Sequence, residues 1–183
     1  MGLNHYSTMY ASKPKTKSMQ GGYWIDMFVD VSTDPSWRKN FMGWSTNPDG
    51  LRELLMWISR RYPGIPIVIT ENGTAEDDDA TLERAVHQQQ QQQNKDDDVD
   101  DVGRVEYFKN YIKACGEAIG VGVNLQGYFA WSLLDNFEWE YGYTKRFGLY
   151  YVDYNDHVNL KRTAKSSAKL YKQIIQSNGS NLL

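Results

Sequence analysis

The sequence predicts an α/β fold built on a parallel sheet, and two observations carry that reading. Short apolar stretches alternate with stretches of helical periodicity, in the order strand, helix, strand, helix, strand, helix. The middle strand, "PIVIT" at 66–70, is apolar throughout, which suits a parallel sheet covered on both faces better than a sheet with one wet face. Consecutive βα units of this kind place their strands side by side and parallel.

The elements follow in order. "MGLNHYSTMYA" at the start reads as a strand, and a glycine-rich, polar loop runs on to about residue 48. "PDGLRELLMWISRRYPG" reads as a helix, because Leu51, Leu54, Leu55 and Ile58 recur at i, i+3, i+4 and i+7. Gly64 and Pro66 stop it. Residues 75–102 differ in kind: six consecutive glutamines lie between acidic runs, a composition too polar to offset its own ordering entropy. This stretch is expected to be a low-complexity, mobile loop insertion, and its aspartates lack calcium-loop spacing. "VEYFKNYIKACGEAIG" restores helical periodicity through Val105, Phe108, Ile112, Cys115 and Ile119. "LQGYFAWSL" is a further apolar strand, an aromatic loop follows, and "TAKSSAKLYKQIIQSN" closes as an amphipathic helix with Thr163 as its N-cap.

Bulk properties narrow the function classes. A net charge of −3 and a pI near 5.6 argue against a dedicated nucleic-acid binder. No apolar run reaches the roughly 18 residues of a membrane span, and no signal peptide is visible. Cys115 is the single cysteine, so no internal disulfide can form, and its place on the apolar face of a helix suits a buried thiol. The 13 Tyr and 6 Trp supply aromatic faces that bind sugar rings or fill cores equally well.

In parallel α/β sheets the working residues sit just past the carboxyl ends of the strands. Here those segments are "HYST", "ENGT" and "LLDNFEWE". Glu71, at the mouth of the middle strand, has three readings: a satisfied structural carboxylate, a metal ligand or a catalytic group. Metal is the weakest, since no His/Cys cluster accompanies it. A fixed, partly desolvated carboxylate is what a nucleophile or an acid/base needs.

At this point the motifs become specific. "ITENG", followed some fifty residues on by "GYFAWSLLDNFEWEYGYTKRFGLYYVDY", closely resembles glycoside hydrolase family 1, most of all its plant β-glucosidases. "GLNHYST" is similar to that family's sixth-strand motif, and "PDGLRELL" to the helix before its seventh strand. The resemblance covers nearly the whole chain apart from the glutamine-rich insertion. It implies a (β/α)8 TIM barrel and retaining hydrolysis of β-glucosides, with no cofactor. It also implies roles: Glu71 as nucleophile, Tyr6 and Asn4 as its hydrogen-bonding neighbours, and Trp131 as the ring beneath the sugar. Glu138 would grip two sugar hydroxyls, Trp139 would donate a further hydrogen bond, and Trp44 would serve as an aglycone platform.

One expected part is missing. Retaining glycosidases use two carboxylates about 5–5.5 Å apart, and the family carries its acid/base in an "NEP" motif that this sequence lacks. By generic spacing Glu138 or Asp135 could serve as that acid instead, since both follow a neighbouring strand, although the resemblance gives Glu138 a sugar-binding task. The resemblance accordingly implies the last three βα units, strands six to eight, of an incomplete barrel, inactive alone. Such a unit has two open sheet edges, which suggests self-association or pairing with a full-length relative. Neither localisation nor aglycone specificity can be read from the sequence.

Overall fold

A computed structural model of the chain describes residues 1–14, 28–77 and 99–180. Strand β1 (Gly2–Asn4) pairs parallel with β4 (Ile67–Asn72), which pairs parallel with β6 (Leu125–Ala130), giving a three-stranded sheet with β4 in the middle. These are the three strands that the apolar runs predict. The described residues form an open α/β sheet, not a closed barrel. The β1–β4 register shifts between Leu3 and Asn4, and the β4–β6 register shifts at the start of β4, between Ile67 and Val68, and again between Ile69 and Asn72.

Helix α1 (Pro48–Arg61) joins β1 to β4, and the reasons for its limits are local. The Asn47 side chain caps it by accepting from the Gly50 N–H, proline occupies its first turn, Asp49 sits at the positive end of the dipole, and Arg60 and Arg61 sit at the negative end. Leu51, Leu55 and Ile58 are buried, while Leu54, also expected on that face, is only half-buried.

Helix α2 (Val102–Gly120) follows the acidic segment. Its buried stripe is Arg104, Tyr107, Phe108, Tyr111, Ala114, Cys115 and Ala118. The face read from the sequence is rotated from this one: Ile119 is 51% exposed, and Val105 and Ile112 are half-buried. The reason is that Tyr107 and Tyr111, stacked at 4.1 Å, are core residues, and a reading that leaves tyrosines out of the apolar face passes over them. Burial pushes the Cys115 thiol up to about 12.

Helix α3 (Ser166–Gln176) starts later than expected. Thr163 is not its cap, because it lies in β9 (Arg162–Ala164), paired antiparallel with β8 (Tyr150–Val152). Lys165 occupies the cap position instead, and its ammonium is buried against Asp135 at 2.8 Å. The first expected strand is split: after β1 the chain leaves the sheet, and β2 (Tyr10–Ser12) pairs antiparallel with β3 (Asp30–Ser32) in a stretch expected as loop, while β5 (Glu76–Asp77) pairs with β7 (Lys145–Arg146).

Of the expected loop insertion at 75–102, residues 78–98 lie outside the described residues, but its two ends fold into the body. Ala75, Glu76, Val99 and Asp101 are all buried, and the Val99 amide donates to the Ala164 carbonyl. The core packs Leu51, Leu55 and Ile58 of α1, Ile67 and Ile69 of β4, and Phe108 and Tyr111 of α2 into one cluster that α3 closes with Leu170 and Ile174. Among the described residues no helix is long and apolar enough to cross a membrane.

Candidate active site

The parallel register brings the carboxyl ends of β1, β4 and β6 to one end of the sheet. Tyr6 lies two residues past β1, Glu71 is the penultimate residue of β4, and Trp131 directly follows β6. The three meet in a cleft of ≈ 570 Å³, which Trp44, Glu138 and Trp139 also line.

The Tyr6 hydroxyl donates to Glu71 Oε2 at 2.5 Å. Burial, then the hydrogen bond to Glu71, then the negative charges of Glu71 and Glu138 push the phenol far above its ordinary range, so it stays a protonated donor. Its ring stands edge-on to Trp44 at 5.6 Å and to Phe147 at 6.0 Å. Phe147 is almost fully buried and packs against Trp44 as well. The sequence reading missed it, although it lies within the aromatic motif, because nothing in a lone Phe distinguishes a site wall from core.

Asn4 departs from expectation. Its side-chain oxygen accepts from the Thr70 hydroxyl at 2.5 Å, and no hydrogen bond from it to Glu71 occurs among the described residues. The register shift between Leu3 and Asn4 pairs Asn4 with Glu71 through the backbone, leaving the side chain beside Thr70.

The loop after β6 carries the remaining groups. The Glu138 carboxyl is pushed up by burial, pulled back by a hydrogen bond from Trp131, and pushed up again by the charge of Glu71. Glu138 leads into a 3-10 turn, Trp139–Tyr141, in which Trp139 takes a positive φ of 46°. That backbone region is costly for a bulky side chain and is found where surroundings impose it. It leaves the Trp139 indole 82% exposed at the cleft rim. The Trp131–Ser132 peptide bond is cis.

Asp135, read from the sequence as an alternative acid, has another task. Its Oδ1 accepts from the Gly148 N–H at 2.8 Å and from Lys165 Nζ at 2.8 Å, and its Oδ2 accepts from Arg146 Nη1 at 3.1 Å. It is buried and paired with two cations, so it anchors the loop and is closed to proton transfer with a substrate. Among the described residues no three metal-ligating side chains cluster.

The family model described as glycosyl hydrolase family 1 matches residues 1–180. The chain belongs to glycosyl hydrolase family 1. Relatives within the family include Beta-glucosidase 42 of Arabidopsis thaliana, 38% identical over 99% of this chain and 36% of its own length. A bifunctional beta-D-glucosidase/beta-D-fucosidase of Bifidobacterium breve is 36% identical over 96% of this chain and 36% of its own. Among solved structures, the Thermotoga maritima beta-glucosidase in complex with glucoimidazole superposes with a TM-score of 0.75 at 35% identity, over 97% of this chain and 34% of that one. The chain therefore spans about a third of the length of these relatives. The expected likeness to plant enzymes is one side of a broader one, since bacterial family members match nearly as well.

Proposed function

We propose that the chain is the nucleophile-bearing portion of a retaining β-glucosidase, its three strands corresponding to strands six to eight of a (β/α)8 barrel. The observation that carries this reading is the Tyr6–Glu71 hydrogen bond at the carboxyl end of the middle strand, inside an aromatic-walled cleft. In the first step the Glu71 carboxylate attacks the anomeric carbon, the bond to the aglycone oxygen breaks, and that oxygen leaves with the bonding pair and takes up a proton. In the second step water attacks the anomeric carbon, giving up one proton to a base, the bond to the Glu71 oxygen breaks, and the sugar leaves with the carboxylate restored. Tyr6 keeps the carboxylate aimed. Trp131 stacks beneath the sugar, Glu138 accepts from its hydroxyls, Trp139 adds a donor, and Trp44 faces the aglycone.

The proton donor of the first step is the part this sequence does not supply. Asp135 is committed to Lys165 and Arg146, and Glu138 is assigned to the sugar. General acid catalysis contributes about 10²–10⁴-fold, so the chain alone is expected to be inactive on a poor leaving group. The test compares two β-glucosides on the purified chain. A dinitrophenyl glucoside, whose leaving group needs little protonation, should release phenolate slowly, and Glu71→Gln should abolish the release. An alkyl glucoside should give nothing. Ready hydrolysis of the alkyl glucoside would mean that an acid is present, with Glu138 the first group to substitute.

A second reading is association, and the sheet itself favours it. Both β1 and β6 are edge strands among the described residues, and Phe129 on β6 is 61% exposed. Pairing with a second copy or with a full-length relative would cover them. Sedimentation velocity across a hundredfold concentration range tests this, and a monomer at every concentration, unchanged by an added full-length relative, contradicts it.

A further inference from the structure

Tyr6 lies beyond the end of β1, where the regular ladder no longer fixes the chain. The backbone bond that follows the strand runs from the His5 N–H to the Glu71 carbonyl at 2.9 Å. The other side of His5, its carbonyl, belongs to the peptide that joins it to Tyr6. That carbonyl accepts from the carboxamide nitrogen of Asn72 at 2.6 Å. Asn72 is fully buried, and both polar atoms of its side chain are hydrogen-bonded. Its nitrogen also donates to the Tyr107 hydroxyl of α2 at 2.9 Å, and its oxygen accepts from the Tyr128 hydroxyl of β6 at 2.6 Å. The orientation of the amide is dictated, because the His5 carbonyl can only accept.

Two consecutive residues of β4 thus grip His5, the residue that follows β1, from both sides, Glu71 through its backbone and Asn72 through its side chain. We propose that Asn72 is a positioning residue of this site: by fixing the His5–Tyr6 peptide against β4, β6 and α2 it sets the Tyr6 phenol on the Glu71 carboxylate. The inference rests on the reading of Glu71 as nucleophile only for its catalytic consequence, since the positioning itself is geometric. A buried asparagine that merely glued the core would lower stability when replaced and leave the Tyr6–Glu71 bond alone. Misplacement of a reacting group by about 1 Å can cost on the order of 100-fold in rate.

The test reads the hydroxyl proton of Tyr6 by NMR in the 183-residue chain, assigned as the downfield signal that Tyr6→Phe removes. Asn72→Asp keeps size and the acceptor for Tyr128 but loses the donor to His5. In that variant the Tyr6 hydroxyl signal should disappear through exchange while the dispersed amide spectrum persists. Should Asn72→Asp fail to fold, Tyr128→Phe removes only the hydroxyl that orients the carboxamide, and Tyr6 hydroxyl exchange should quicken at least tenfold. An unchanged Tyr6 signal in either folded variant overturns the proposal, as does the absence of a protected Tyr6 hydroxyl in the unsubstituted chain. Labelling by a dinitrophenyl fluoroglucoside is measured in parallel and should slow about 100-fold in Asn72→Asp. A lost Tyr6 signal with no labelling in the unsubstituted chain would uphold the positioning and refute the nucleophile, so the two failures are told apart.

Discussion

His5 stands between Asn4 and Tyr6, two residues that the family resemblance singles out, and its imidazole is strongly perturbed. Burial pulls it down to about 4, against a small opposing backbone hydrogen bond. Its Nδ1 is buried with no hydrogen-bond partner among the described residues. A base whose folded pKa lies below its unfolded value binds its proton less readily in the native state. Its contribution is therefore fully present above the unfolded value near 6.5 and is lost as pH falls toward 4. The loss should reach roughly 3 kcal/mol at the acid end. Urea titrations of wild type and His5→Phe from pH 7 to 4 check this: the wild-type curve should fall more steeply, and parallel curves would contradict it. The residues around His5 also mark what was legible at this scale. Tyr6, Glu71, Trp131, Glu138 and Trp139 come from long motifs and Trp44 from a looser match, and all six line one cleft. Asn4 was misjudged because a register shift is invisible in sequence. Asn72 passed as part of a motif, since its three partners come from His5 just past β1, from β6 and from α2, distant in sequence.

At the scale of elements, the site depends on how closely β4 and β6 approach at their ends. A Cβ at Gly73 would lie 1.9 Å from the Trp131 carbonyl oxygen, a contact with backbone that no rotamer can relieve. Gly73→Ala should lower stability by about 1–3 kcal/mol, the usual range for overpacking. Because the clash is with Trp131 and Gly73 lies two residues past Glu71, labelling of Glu71 should fall further than stability does. Equal labelling in a folded variant would show the contact to be irrelevant to the site. Helix α1 offers a plainer case: Asn47→Ala removes its cap and should lower stability by about 1 kcal/mol in urea unfolding. The alternation of βα units, the parallel sheet and the span of α1 were all legible from periodicity and stop signals. The buried face of α2 and the start of α3 were not. Tyrosines can serve core or surface, and the β8–β9 pair that claims Thr163 depends on partners brought together only by the fold.

At the scale of the molecule, a buried ionic network ties the segments together. Arg104 bonds Asp101, the Thr74 carbonyl and the Arg146 carbonyl, while Arg146 and Lys165 both meet Asp135. Removing one member leaves charges buried without compensation, which typically costs about 3–5 kcal/mol. Asp135→Ala should therefore destabilise the chain by that amount and free the loop that presents Trp131, Glu138 and Trp139. Unfolding that matches wild type would contradict this. No such network could be read from sequence, because its members are spread from Thr74 to Lys165. The central claim remains that Glu71 is a nucleophile held ready by its surroundings. The most direct measurement is peptide mass spectrometry of the chain after incubation with a dinitrophenyl 2-deoxy-2-fluoro-β-glucoside, whose fluorine slows the turnover of a glycosyl ester. The expected result is one fluoroglucosyl adduct on the peptide containing Glu71, absent in Glu71→Gln and greatly slowed in Tyr6→Phe. An adduct on another carboxylate, or one that survives Glu71→Gln, would contradict the account.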